Sequence, residues 1–376
     1  MPKIKSVVVA YDLITAYGEG IELCWGGISA NRSSISKVNR FATQSFQSEN
    51  AATVAGLKYL GNNSLVMQML SCLLKRNKAL IPTDSLLILA TTTGEIDILE
   101  KRVLEGTGDA AESKFSFLLE KVKGLTNIKG EGEIISSACA SSSAAIGFAS
   151  SFIYSGKHDC VLVVAADAVT EFVFSGFSSL MALDPDKAKP FDKNRAGLSL
   201  GEGAGFILLM SEKRARKEAR KIIGEVAGWA VAGDANHMTG PARDGSGLSL
   251  AIQKAMSKAD ISSDDIGCIS SHGTGTVYND AMEMKAYNVI FGKHPIPLYS
   301  IKGAVGHTMG VAGLIETIIA LRVLQERIIP ATVGLKDVDP GARDWASLER
   351  RNLDGDAILV NNSGFGGINS SLVLKQ

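Results

Sequence analysis

Short runs of β-branched and aliphatic residues alternate with longer segments of helical periodicity from one end of the chain to the other. That alternation is the pattern of an α/β fold, in which helices cover both faces of a largely parallel sheet. The apolar runs predict strands at 4–11, 85–92, 132–138, 159–166 and 203–210, and a second set at 223–233, 265–271, 296–300, 357–362 and 370–375. Helices are predicted near 50–77, 97–104, 112–123, 140–156, 246–259, 279–291 and 308–326. Two sets of five strands with comparable connections meet near residue 220, so the expected organisation is an internal duplication, with halves 1–220 and 221–376. A chain of 376 residues exceeds what one hydrophobic core usually supports, which agrees with two stacked units. The join carries the charged run from Ser211 to Lys221, read as the solvated face of a helix.

Charge excludes one large class of function. The 39 basic and 39 acidic residues cancel, and a general nucleic-acid or polyanion binder needs a basic excess. Five cysteines, an odd number without a C-x-x-C pair, fit a reducing compartment better than a disulfide framework. Met1-Pro2-Lys3-Ile4-Lys5 leads straight into an apolar strand without the pattern of a signal peptide. The longest apolar stretches, near 160–168 and 310–320, are too short or too interrupted to span a bilayer. The expectation is a cytoplasmic protein without membrane or nucleic-acid partners.

Three residues stand out chemically. Cys139 lies between the extended run 133–138 and the small-residue helical run that begins at Ala140, a helix start whose free N–H groups favour a thiolate. His272 and His307 each sit just past a strand end, in Ser271-His272-Gly273-Thr274-Gly275-Thr276 and Lys302-Gly303-Ala304-Val305-Gly306-His307. Isolated cysteines usually pack as small hydrophobes, and Cys24, Cys72, Cys160 and Cys268 are read that way. The matched settings of the two histidines set Cys139 apart. Zinc is the competing use of Cys and His, but no close ligand spacing or H-x-x-x-H run is present. Gly201-Glu202-Gly203-Ala204-Gly205 precedes a strand instead of opening a helix, unlike a phosphate-cradling loop.

A cysteine attacking a thioester forms a covalent acyl-enzyme. Two imidazole Nε2–H groups then suit the enolate left when a malonyl thioester loses carbon dioxide. A second oxyanion hole is expected from backbone N–H groups, with Cys139 and the turn Ser363-Gly364-Phe365-Gly366-Gly367 as candidates.

The motifs extend further, through Pro190-Phe191-Asp192-Lys193-Asn194-Arg195-Ala196-Gly197, Asp234-Ala235-Asn236-His237-Met238-Thr239-Gly240-Pro241 and Asn362-Ser363-Gly364-Phe365-Gly366-Gly367-Ile368-Asn369. In this order they resemble the elongating β-ketoacyl-acyl-carrier-protein synthases of type II fatty-acid and polyketide synthesis. The resemblance implies the thiolase fold, two α/β halves in five layers (α-β-α-β-α), and a dimer. It implies Cys139 as the acyl-accepting nucleophile and His272 and His307 as the pair supporting decarboxylation and condensation. Lys302 and Glu316 match the family's lysine and glutamate, and Asp280 and Glu283 its acidic positions after the first histidine motif. Thr274, Thr276, Phe365 and Asp280 are assigned to substrate binding, Phe365 as the gating aromatic, and Arg195 to docking of an acidic acyl carrier protein.

No cofactor or metal is expected, because phosphopantetheine arrives on the carrier. Ala10-Tyr11 and Ser363 depart from the family pattern, and the N-terminal half is short. The expected activity is decarboxylative Claisen condensation, in a homodimer or beside a related synthase-like subunit. The alternative is a non-catalytic chain-length partner, a class that usually lacks the cysteine. A degradative thiolase would need a C-terminal cysteine, but the last one is Cys268.

Overall fold

A computed structural model describes residues 4–60, 63–106, 109–292 and 294–376. Besides a two-residue strand, Gly18–Glu19, that pairs only with the end of the first, ten strands build its main sheet. In the N-terminal half they are β1 (Ser6–Thr15), β2 (Leu86–Ala90), β3 (Gly132–Ile135), β4 (Cys160–Asp167) and β5 (Gly203–Ser211). In the C-terminal half they are β6 (Gly224–Gly233), β7 (Ile266–Ser270), β8 (Leu298–Tyr299), β9 (Ala357–Gly364) and β10 (Ile368–Lys375).

The spatial order is β3-β2-β4-β5-β1 in one half and β8-β7-β9-β10-β6 in the other. Numbered within each half, both read 3-2-4-5-1. The strand directions match as well: the first three strands in each order are parallel, and the last two run antiparallel. Even an irregularity repeats. β1 bulges between Val8 and Ala10 against β5, and β6 bulges between Val226 and Gly228 against β10. The two sets join through a short antiparallel contact, Val7 with Glu225 and Val8 with Gly224.

Helices fill three layers around these strands. Helices α1 (Leu65–Asn77) and α2 (Phe115–Thr126) cover the outer face of the first half. Helices α5 (Ser246–Ala259) and α6 (Val277–Phe291) cover the second, after α3 (Ser141–Tyr154) and α4 (Glu171–Ser179) in the chain. The middle layer is α3 with α7 (Ala312–Glu326), packed between Val163 and Ile207 on one side and Ile358 and Leu372 on the other. The architecture is the expected five-layer α/β thiolase fold.

Both middle helices are apolar nearly all round, as burial between two sheets requires. Their N-termini meet where the residues are smallest. A Cβ on Gly313 would lie 2.7 Å from that of Ser143, so only glycine permits the approach. That contact brings the starts of the two central helices, and the loops feeding them, to one place.

Several boundaries differ from the sequence expectation. The helix expected at 50–77 begins at Leu65, after Ser64 accepts the Met67 N–H at 3.0 Å. Gly56 upstream has φ +82°, outside the helical region, and residues 50–52 instead form a short strand beside Leu200–Gly201. The charged run forms a helix only over Glu212–Lys217, and Ala219 then turns with φ +51°. Helices Ile21–Ser29 and α4 are additional. Among the described residues no helix is long and apolar enough to cross a membrane.

Candidate active site

Cys139 follows β3 and His307 follows β8, the equivalent strand of the other half; each precedes a central helix. The meeting of those helices therefore puts the two side chains together. His272 arrives from the end of β7. The Cys139 Sγ and one ring nitrogen from each histidine lie within 4.8 Å of one another, all three residues buried. The imidazole planes meet edge to face, with centroids 5.2 Å apart.

The loop at Cys139 is held in an uncommon conformation. Ala138 has φ +47°, a left-handed geometry costing a residue with a Cβ about 1–2 kcal/mol. Ser141 supports it, its hydroxyl donating to the Ala138 carbonyl at 2.6 Å and accepting the Ser137 N–H at 2.8 Å. Helix α3 has Ala140 as its N-cap, so Cys139 stands just outside the helix and not on its first turn. Burial pushes its thiol up to about 11, opposed by the Lys302 charge and the Phe365 N–H. This corrects the expectation of a thiol lowered by the helix start: loss of water outweighs the favourable dipoles.

Hydrogen bonds assign the tautomer of each histidine. Lys302 Nζ lies 3.1 Å from His272 Nδ1, and an ammonium has only protons to offer. The Met309 N–H donates to His307 Nδ1 at 3.0 Å. Both neutral rings consequently carry their proton on Nε2. Burial first, then the Lys302 charge, holds both imidazoles well below the ordinary histidine range.

Lys302, itself buried, is paired with Glu316 from α7. Glu316 also accepts from Asn362 Nδ2 at 2.5 Å. The His307 backbone is fixed by Gly201 and Ser199, the Gly201 N–H donating to its carbonyl at 3.0 Å and its own N–H to Ser199 at 2.7 Å. Glu283 accepts the N–H groups of His272 and Gly273 at 2.7 and 2.6 Å and the Tyr287 hydroxyl at 2.8 Å. Burial raises its carboxyl to about 7.

A cavity of ≈ 460 Å³ leads to the three reactive side chains, with Thr274, Thr276 and Phe365 on its wall. The two threonine hydroxyls lie 2.9 Å apart. Phe365 stacks on Phe177 of α4, centroids 5.7 Å apart. The chain thus presents a buried thiol, two Nε2–H donors, and a lined channel reaching them.

Two family models match, "Beta-ketoacyl synthase, N-terminal domain" over residues 121–215 and "Beta-ketoacyl synthase, C-terminal domain" over residues 223–336. The chain belongs to the β-ketoacyl synthase family. It is 29% identical to 3-oxoacyl-[acyl-carrier-protein] synthase 2 of Vibrio harveyi, with 100% of this chain and 99% of the relative covered. It is 33% identical to a putative polyketide beta-ketoacyl synthase 1 of Streptomyces virginiae, over 66% of this chain and 61% of that one. The solved ishigamide ketosynthase/chain length factor superposes with a TM-score of 0.90 at 27% identity, covering 100% of this chain and 99% of its own.

In this β-ketoacyl synthase, two of the residues assigned from the resemblance lie elsewhere. Asp280 is buried away from the cavity, accepting the Phe191 N–H at 2.8 Å and the Gly275 N–H at 3.2 Å. Its position one helical turn before Glu283 directs it at the loop backbone, so it holds the loop and does not line the cavity. Arg195 has a side chain only 7% exposed, with Nη1 donating to Asp339 at 2.6 Å and Asp280 at 3.7 Å from Nε. Arg195 is therefore a paired, largely buried cation and not the free surface charge expected of a docking residue.

Sequence reasoning gave no role to Asn362, quoted only as the start of the last motif, and overlooked Asp167. The latter ends an otherwise apolar strand and accepts N–H groups from Thr92 and Thr93 at 3.0 Å and from Gly310 at 2.8 Å, bracing the loop beyond His307. An acid closing a fully buried strand was the available signal.

Proposed function

We propose that the chain condenses an acyl primer with a malonyl group carried on an acyl carrier protein, releasing carbon dioxide and a 3-oxoacyl-carrier product. The observation that carries this reading is the convergence of one thiol with two Nε2–H groups whose Nδ1 atoms already accept hydrogen bonds. First the Cys139 sulfur attacks the primer thioester. The new S–C bond forms as the pantetheine C–S bond breaks, and the thiol proton passes through an imidazole to the departing sulfur. A buried neutral thiol beside neutral imidazoles suits that transfer, because no ion pair is stored in the resting site.

The malonyl thioester then enters. Its C–C bond to the carboxylate breaks, and the electron pair becomes an enolate whose oxygen faces His272 and His307. The enolate carbon attacks the acyl carbon on Cys139. The N–H groups of Cys139 and Phe365 stand beside Sγ and are suited to the tetrahedral oxyanion. Collapse breaks the S–C bond and expels the Cys139 thiolate, which takes up a proton from solvent through an imidazole and so returns to the thiol. Thr274 and Thr276 offer hydroxyls to the pantetheine amides, and Phe365 gates the acyl chain.

A metal centre would need the Nε2 lone pairs, hence Nδ1 protons facing an acceptor. Here an ammonium and a backbone N–H face those atoms, and the ammonium also opposes a dication. This supports catalysis by the residues alone, with phosphopantetheine delivered on the carrier. The halves 1–220 and 221–376 are the two duplicated units, the protein works in the cytoplasm, and it assembles with a second synthase-like chain. Exposed Val103, Leu104 and Phe117 offer apolar surface for that assembly.

Intact-protein mass spectrometry after mixing with acyl-carrier proteins tests the first step. A covalent acyl adduct, absent in Cys139→Ala, supports the reading. Absence of an adduct with every primer would instead favour a non-catalytic chain-length subunit, a reading kept open by the ketosynthase/chain length factor similarity.

A further inference from the structure

Arg243 lies beside Tyr278, a residue of the wall of the cavity that leads to Cys139. It is exposed, and its guanidinium carbon lies 5.2 Å from the centroid of the Tyr278 ring, which lines the cavity mouth. Among the described residues no carboxylate lies within ion-pair distance of it. The neighbouring Asp244 is engaged locally, its carboxylate accepting the Ser246 N–H at 3.0 Å and the Ser246 hydroxyl at 2.8 Å at the start of α5.

The loop carrying Arg243 is tied on both sides. Asp234 accepts the Ala242 N–H at 2.9 Å, and the Gly245 N–H donates to the Ala242 carbonyl at 2.9 Å. A cation–π contact with the tyrosine ring spends none of the guanidinium N–H groups on a carboxylate, and a guanidinium fork suits a two-pronged bond with a phosphate.

The cavity itself supplies the contrast. Its described lining contains no Lys, Arg, Asp or Glu from the mouth to the reactive side chains. Met181, Val277 and Tyr278 on its rim are 70%, 51% and 62% exposed. A neutral tether of amides and methylenes matches such a channel, whereas a phosphodiester at its outer end has to remain where a cation meets it.

We infer that Arg243, held by Tyr278, receives the phosphodiester of the phosphopantetheine arm and so sets how far the arm enters. This rests on the condensing reading above and adds the residue that recognises the charged end of the tether. The charge is exposed, so its effect weakens as salt is raised.

The test compares two carrier-free substrates bearing one acyl group, acyl-4′-phosphopantetheine and acyl-pantetheine, by the rate at which each acylates Cys139 in the full-length chain. The wild-type chain is expected to favour the phosphorylated substrate roughly tenfold. In Arg243→Ala the ratio of the two rates should fall to near one, and Arg243→Lys should retain part of it. An unchanged ratio in Arg243→Ala would overturn the assignment while leaving the condensing reading intact. So would slower acylation confined to the intact acyl-carrier protein, which would place Arg243 against a carboxylate of the carrier. No acylation of Cys139 by any of these thioesters would remove both readings together.

Discussion

Replacing Glu316 with glutamine removes the carboxylate from a pair in which both side chains are 1% exposed. The Lys302 ammonium then stays buried with an imidazole and an amide as its nearest company, a situation that typically costs about 3–5 kcal/mol. For a chain of 376 residues the unfolding entropy is about 0.8 kcal/mol per kelvin, from about 2.1 cal/mol/K per residue. The midpoint of thermal unfolding should therefore fall by about 4–6 °C, read by calorimetry at matched protein concentration. Adding Lys302→Met to Glu316→Gln removes the stranded charge and should return much of the lost stability.

Condensing activity should not return with it, because His272 Nδ1 has lost its charged donor and keeps only the Asn362 amide at 3.4 Å, which leaves the ring freer to hold the wrong tautomer. Two results would refute the reasoning. One is a single mutant with an unchanged midpoint; the other is a double mutant that recovers stability and full activity together.

His307→Ala and His272→Ala each delete one donor to the enolate oxygen, and should slow release of carbon dioxide from malonyl-carrier protein by roughly 10²–10³-fold. Formation of the Cys139 adduct, followed by intact mass, should persist in the His307 variant. Alkylation of Cys139 by iodoacetamide should rise about tenfold per pH unit through pH 7–10, since burial places the thiol at about 11; a plateau near pH 8 would contradict that placement. Burial also holds both imidazoles below their unfolded value of 6.5, so below that pH the unfolded chain binds more protons. Their contribution to stability is full above pH 6.5 and lost as pH falls, which urea midpoints measured between pH 5 and 8 would show.

The strand-helix alternation made the ten strands legible, because period and burial are local properties of sequence. The identical 3-2-4-5-1 orders and the matched bulges in β1 and β6 are long-range pairings, invisible to any window. Apolar content in residues 50–64 suggested helix, yet Gly56 and the capping Ser64 set the real boundary. Cys139, His272 and His307 could be found because their residue types are chemically rare in such settings. What surrounds them could not: whether Arg195 is free or paired depends on Asp339, distant in sequence. The thiol shows the same limit, since a helix start is local but burial is decided by the whole fold.

Incubating the chain with an acyl-carrier protein and malonyl-carrier protein labelled at C2, then weighing the products, addresses the proposed chemistry most directly. Condensation predicts a carrier-bound 3-oxoacyl product extended by two carbons that retain the label, one carbon dioxide per product, and loss of both in Cys139→Ala. Acyl transfer to Cys139 without extension, or an equally extended product from Cys139→Ala, would contradict it.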